Sequence, residues 1–195
     1  MRKLKMDELN RKSVEEFRAS DKVPLMVVLE NIRSMHNVGS VFRTADAFLI
    51  RGLYLCGYTP RPPHRDIQKT ALGATETVEW TYFPTAIEAI HELKAAGYAI
   101  FAVEQAEKSI PLPEFSSTAY EKLAVVFGNE VSGIAPEVLE ACDGCLEIPQ
   151  FGMKHSLNIS VAAGIVLWDL AGRTAHNAGM TTHNAGMTAK NRESS

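Results

Sequence analysis

Residues 148–170 read IPQFGMKHSLNISVAAGIVLWDL. The first half of this stretch is not regular structure. Pro149 and Gly152 interrupt it, and Gln150, Lys154 and His155 are polar. The second half has helical spacing. Leu157, Val161, Ile165 and Trp168 recur at i, i+4, i+8 and i+11, and Ile159, Ala163, Val166 and Leu170 form a second apolar stripe beside them. A helix apolar on both sides is expected to be buried in a core. Its first turns nevertheless carry Ser156, Asn158 and Ser160. Two readings fit these polar residues. Ser156 is an ordinary N-cap, with the others serving nearby backbone. Alternatively, the amide-rich helix start holds a polar ligand.

Working outward, the chain alternates strand-like and helix-like segments. Pro24 introduces LMVVLE at 25–30, read as a central strand. A polar loop follows, and then a helix from Asn37, taken as its N-cap. Val38, Val41, Phe42, Ala45, Phe48 and Leu49 give that helix one apolar face. Gly39 permits close backbone approach, and Arg43 is placed to pair with Asp46. Further strands are read at 53–57, 78–83, 98–103, 122–128 and 145–149, with helices at 84–97 and from Pro136. The alternation predicts an α/β fold with a mainly parallel sheet flanked by helices. Ligands in such sheets bind beyond the C-terminal strand ends. Three loops therefore stand out: 31–37, 128–133 and 149–155.

The ends of the chain read differently. Residues 1–22 are expected to be an N-terminal helical arm, with its helix at 5–19, and residues 23–171 one domain. HNAGMT occurs at 176–181 and again at 183–188. The tail 172–195 is expected to be disordered, so that truncation at Gly172 leaves the fold intact.

Composition narrows the class. The 195 residues are 46% hydrophobic and 22% charged, with a net charge of −3. No apolar run is long enough to span a bilayer, and the N-terminus lacks an apolar signal core, so a cytoplasmic protein without a membrane partner is expected. Cys56, Cys142 and Cys145 do not suggest a disulfide scaffold. Cys142-x-x-Cys145 lacks two further ligands for zinc, so no metal is expected, and two small buried residues at a helix-to-strand junction are the simpler reading. Charge is unevenly spread. Residues 31–70 hold six Arg/Lys against two Asp, whereas residues 76–147 hold thirteen Asp/Glu against three Lys. Arg33, His36, Arg61, His64, Arg65 and Lys154 are candidate RNA contacts as a group.

The loop Gly128-Asn-Glu-Val-Ser-Gly133 is not a dinucleotide fingerprint, because Glu130 takes the place of the middle glycine and repels a pyrophosphate. It suits a cation, or a ligand amine or hydroxyl. A plain strand-to-helix turn fits it equally well.

Three blocks in order are more specific: Asn37-x-Gly39-x-x-x-Arg43, then Gly128-x-Glu130-x-x-Gly133, then Ile148-Pro149-x-x-Gly152-x-x-x-Ser156-Leu157-Asn158-x-Ser160-x-Ala162. Together they resemble the SpoU/TrmH class of SPOUT RNA methyltransferases over roughly residues 24–171. The resemblance implies S-adenosylmethionine as methyl donor and a ribose 2′-hydroxyl of RNA as acceptor. It also implies a C-terminal trefoil knot and a homodimer whose partner completes the acceptor site. By the same resemblance, Val126, Phe127, Gly128, Ile148, Met153, Ser156 and Leu157 hold the donor. Arg43, Asn37, Glu130, Ser156 and Asn158 form the catalytic group. A guanidinium stays protonated, so Arg43 is read as a phosphate clamp that stabilises alkoxide charge rather than as a base. tRNA is the expected substrate. rRNA, or a non-catalytic homologue that binds RNA or the donor, is the alternative.

Overall fold

A computed structural model describes residues 2–5, 8, 12–154 and 156–177. Seven strands form one sheet: β1 (Val23–Glu30), β2 (Ile50–Cys56), β3 (Trp80–Phe83), β4 (Ala99–Val103), β5 (Ile110–Pro111), β6 (Leu123–Phe127) and β7 (Gly144–Glu147). Their order is β3-β2-β1-β6-β4-β7-β5, and every pairing is parallel. β1 and β6 lie inside the sheet and are apolar almost throughout, as two-sided burial requires. Leu25, Val27 and Leu29 face one core, while Met26 and Val28 face the other. β5, only two residues long, was not legible as a strand; its segment reads as loop.

Helices cover both faces. On the first lie α1 (Val14–Ala19), α2 (Met35–Ala47), α3 (Arg65–Ala71), α4 (Ala74–Thr77) and α7 (Ile159–Asn177). On the second lie α5 (Ala86–Ala95) and α6 (Pro136–Ala141). Of the helix expected over 5–19, residues 6–7 and 9–11 lie outside the described residues, and α1 is closed by a Ser13/Glu16 capping box. It is docked rather than peripheral, because Phe17 is buried in the core and Arg18 Nη2 donates to the Glu76 carbonyl at 2.6 Å.

α2 begins two residues earlier than the pattern indicates. Its N-cap is Ser34, whose Oγ accepts from the Asn37 N–H, so Asn37 is not the cap. Its side chain is committed elsewhere, as described below. No Arg43–Asp46 ion pair forms among the described residues. Gly39 is where α2 meets α3. A Cβ there would overlap the Ile67 carbonyl and Thr70 Oγ1. Gly39→Ala is therefore expected to cost about 2 kcal/mol or more through forced separation. In a thermal melt this appears as a Tm lower by roughly 5 °C.

α7 corrects two readings. It continues through Asn177, so the boundary drawn at Gly172 falls within the helix. Arg173 anchors that last part, pairing with Asp169 at 2.8 Å and donating from Nη1 to the Phe115 carbonyl at 2.8 Å. Truncation at Gly172 removes this anchor and is expected to lower the melting temperature. The rest of the repeat tail, residues 178–195, lies outside the described residues. The second correction concerns burial. Ile159, Ala163, Val166 and Leu170 are buried, but Leu157, Val161, Ile165 and Trp168 are exposed, Trp168 by 66%. Apolar spacing on both sides of a helix does not say that one chain covers both.

Cys142 and Cys145 flank the turn from α6 into β7. Their thiols donate to the Val138 and Glu104 carbonyls, and burial pushes the Cys142 thiol up to about 12. Neither is poised as a nucleophile.

Candidate active site

The C-terminal ends of β4, β6 and β7 open onto a cavity of about 440 Å³. It is lined by residues 103–105 after β4, 127–131 and 133 after β6, 147–148 and 150 after β7, and 156–159 with Ala162 at the start of α7. A volume of this order holds a drug-sized ligand, on the order of 300–1,000 Å³. Apolar walls from Phe127, Ile148 and Leu157 meet carboxylates from Glu104, Glu130 and Glu147.

Glu130 is the hub. Its Oε2 accepts from the Arg33 N–H at 2.9 Å, and its Oε1 from the Ser34 N–H at 3.1 Å and from Asn37 Nδ2 at 3.0 Å. Asn37 then accepts through Oδ1 from Asn158 Nδ2 at 3.3 Å. Asn158 caps α7, its Oδ1 accepting from the Ser160 N–H at 2.9 Å and Ser160 Oγ at 2.6 Å. A single chain of hydrogen bonds thus joins the loop after β6, the first turn of α2 and the start of α7. Burial works to raise the Glu130 carboxyl, but the Arg33, Asn37 and Ser34 donors outweigh it and hold the group below its ordinary value. A lowered carboxyl stabilises the fold where it is ionised and loses that contribution as pH falls through its folded value. The site is therefore expected to stay assembled at neutral pH. It should come apart only below the ordinary glutamate value of 4.5. Donor affinity measured from pH 7 to pH 4 checks this, and Glu130→Gln is expected to remove the acid step.

The loop 128–133 is rigid for a second reason. Asn129 and Gly133 exchange both backbone hydrogen bonds, each at 3.0 Å. Asn129 Oδ1 accepts from the Val131 and Ser132 N–H groups, and its Nδ2 donates to the Asn31 carbonyl and to Tyr58 Oη, both at 2.8 Å. Gly128 leaves no room for a Cβ, which would overlap the Gly133 and Ile134 backbone.

Most of the anticipated site residues converge. Phe127, Gly128, Glu130, Ile148, Ser156, Leu157 and Asn158 all line the cavity. Val126 does not; it is buried within β6. Met153 does not either, and its side chain is exposed. Asn37 reaches the site through its hydrogen bonds. Arg43 lies outside the lining, on the same outward face of α2 as His36. Arg33, His36, Arg61, Arg65 and Lys154 are all exposed. His64 has a local task, its Nδ1 accepting from the Asp66 N–H to cap α3. Asn129, Glu104 and Gln105 are site residues that pattern reading passed over. The strand-end rule that drew attention to three loops applies equally to β4 and finds the last two.

Comparison with known proteins places the chain in a family. The model of the SpoU rRNA methylase family matches residues 24–168. A Thermus thermophilus tRNA (guanosine(18)-2′-O)-methyltransferase is 33% identical over 163 residues, spanning 83% of this chain and 81% of that protein. The crystal structure of an A. aeolicus TrmH/SpoU tRNA modifying enzyme superposes with a TM-score of 0.75 at 28% identity, covering 86% of this chain and 83% of that one. An AdoMet-bound rRNA methyltransferase from Sinorhizobium meliloti gives a TM-score of 0.72 at 26% identity, covering 79% and 59%. With a family model that takes in the whole sheet core and all three sequence blocks, the chain belongs to the SpoU rRNA methylase family.

Proposed function

We propose that this chain transfers the methyl group of S-adenosylmethionine to a ribose 2′-hydroxyl in structured RNA, with tRNA the preferred substrate. The observation that carries the reading is the hydrogen-bond chain Glu130–Asn37–Asn158 beside the acid-lined cavity. The residues present fit the donor. Phe127, Ile148 and Leu157 offer apolar wall to a nucleoside, and Glu104, Glu130 and Glu147 offer negative charge to a cationic ligand. Gly128 and Ser156 bring small residues to the same walls. When bound, the donor supplies an electrophilic methyl on a sulfonium.

The chain's own residues then supply alignment. Glu130 fixes the Arg33–Ser34 turn, which sets the entry to α2, and α2 carries Arg43. Arg43 clamps an RNA phosphate and stabilises charge developing on the attacking oxygen. Asn158 and Ser156, in the cavity lining, orient the ribose.

The same proposal includes a homodimer in the cytoplasm and a trefoil knot. The exposed stripe Leu157, Val161, Ile165 and Trp168 adjoins the cavity and supports a partner copy there. In the proposed knot α7 passes through the loop that precedes it, and its support is the resemblance of the three sequence blocks to the SPOUT class. No described helix is long and apolar enough to cross a membrane. rRNA is the second reading, favoured by the likeness to the S. meliloti rRNA methyltransferase.

The test is transfer of labelled methyl from S-adenosylmethionine into bulk tRNA and, separately, into rRNA, followed by nucleoside mass analysis. Label as a 2′-O-methyl nucleoside in the tRNA pool is expected. Label in rRNA alone moves the substrate, and a methylated base overturns the ribose assignment. Donor binding without label in either pool replaces the enzyme with a non-catalytic homologue.

A further inference from the structure

At the same edge of the sheet as the cavity, the turn after β2 presents an unusual tyrosine. Tyr58 is 61% exposed, yet both of its ends are fixed. Its N–H donates to Asn31 Oδ1 at 3.2 Å, and its Oη accepts from Asn129 Nδ2 at 2.8 Å. The next residue, Thr59, is buried; its hydroxyl accepts from the Ile32 N–H and donates to the Leu29 carbonyl. The turn is thus pinned to the end of β1 while the ring stays in solvent. A ring held this way loses little freedom when a second flat group stacks on it. Three residues on, the Arg61 guanidinium lies 4.1 Å from the centre of the half-exposed Tyr82 ring. His64 and Arg65 follow at the start of α3, and the carboxylate there, Asp66, pairs with Lys69 at 2.6 Å. Exposed aromatic faces beside unpaired guanidinium groups are the chemistry that holds unstacked bases and the phosphates between them.

We infer that Tyr58, with the Arg61–Tyr82 pair formed by the same loop and the neighbouring strand β3, forms a stacking platform for an unpaired nucleotide of the substrate RNA. The inference rests on the RNA methyltransferase reading above. It adds that the substrate offers a splayed base rather than a continuous duplex. It also gives Tyr58 a second task, because the Asn129 that holds its hydroxyl also holds the loop carrying Glu130. RNA seated on Tyr58 and the catalytic loop are therefore linked through one side chain.

The test uses the full chain and bulk tRNA and rRNA as probes, with Tyr58→Leu and Tyr58→Phe. Base–aromatic stacking implies RNA binding weaker by about tenfold or more in Tyr58→Leu. Tyr58→Phe, which keeps the ring, is expected to bind within about threefold of the parent and to lose turnover rather than affinity. S-adenosylmethionine affinity is expected to be unchanged in both. Wild-type RNA affinity in Tyr58→Leu overturns the platform and leaves the methyltransferase reading standing. Equal loss of RNA affinity in both variants assigns the effect to the hydroxyl and also overturns it. A parallel fall in donor affinity assigns the effect to loop damage and overturns the platform. Methyl transfer by the parent protein is measured alongside; its absence from both RNA pools overturns the underlying reading itself.

Discussion

Arg43→Ala is expected to lower methyl transfer by about 10²–10³-fold, the range for removal of a group that stabilises transition-state charge. S-adenosylmethionine binding and thermal stability are expected to be unaffected. The separation follows from where the side chain stands. Arg43 is exposed on α2, outside the cavity lining, and has no hydrogen-bond or ion-pair partner among the described residues. Removing it empties no core volume and leaves no buried group unpaired. What disappears is a planar cation with five donors on the surface proposed to receive RNA. Arg43→Lys separates two roles. A bidentate clamp loses most of its geometry in lysine, so activity should stay low. Near-parental activity with normal RNA binding would show that a point charge suffices. Donor isotherms and single-turnover transfer on the same preparations check both variants.

Val161→Glu is expected to convert a dimer into a folded, inactive monomer. Val161 is 50% exposed at the middle of an apolar stripe from Leu157 to Trp168. The opposite stripe is fully engaged in the core, so the charge does not enter the protein's own interior. Facing a second copy, two carboxylates would be brought together in a desolvated patch. An unpaired buried charge costs about 3 kcal/mol or more. Self-association should weaken by a factor of about 10². Light scattering reads the mass, and the melting curve reports whether each monomer remains folded. A dimer that survives the substitution places the interface elsewhere. A monomeric parent protein removes the dimer from the proposal.

Much of the fold is legible in order along the chain because burial writes itself into runs of residues. VPLMVVLE and LAVVF are apolar almost throughout, and both prove to be interior strands of a parallel sheet. The three blocks that suggested a site do meet: Asn37, Glu130 and Asn158 are joined by hydrogen bonds across 93 and 121 residues. Contacts that leave no local pattern were not legible. Asn129 reads as a filler between Gly128 and Glu130, and its partners Asn31 and Tyr58 lie far off in sequence. The cap of α2 was misplaced because Asn37 and Ser34 are both good caps, and only the position of Glu130 decides between them. α7 shows the remaining limit. Periodicity reports that a face is apolar, not which molecule covers it.

The 121-residue reach from Asn37 to Asn158 also bears on how the protein comes into being. A ribosome makes β1 and α2 long before it makes the start of α7. Until residue 158 emerges, Asn37 lacks its partner, the cavity lacks a wall, and α2 lacks the helix that packs beside it. No shorter nascent chain holds a working fraction of the site. A chain that stops before residue 158 lacks one wall of the cavity and the partner of Asn37, and is expected to bind the donor weakly or not at all.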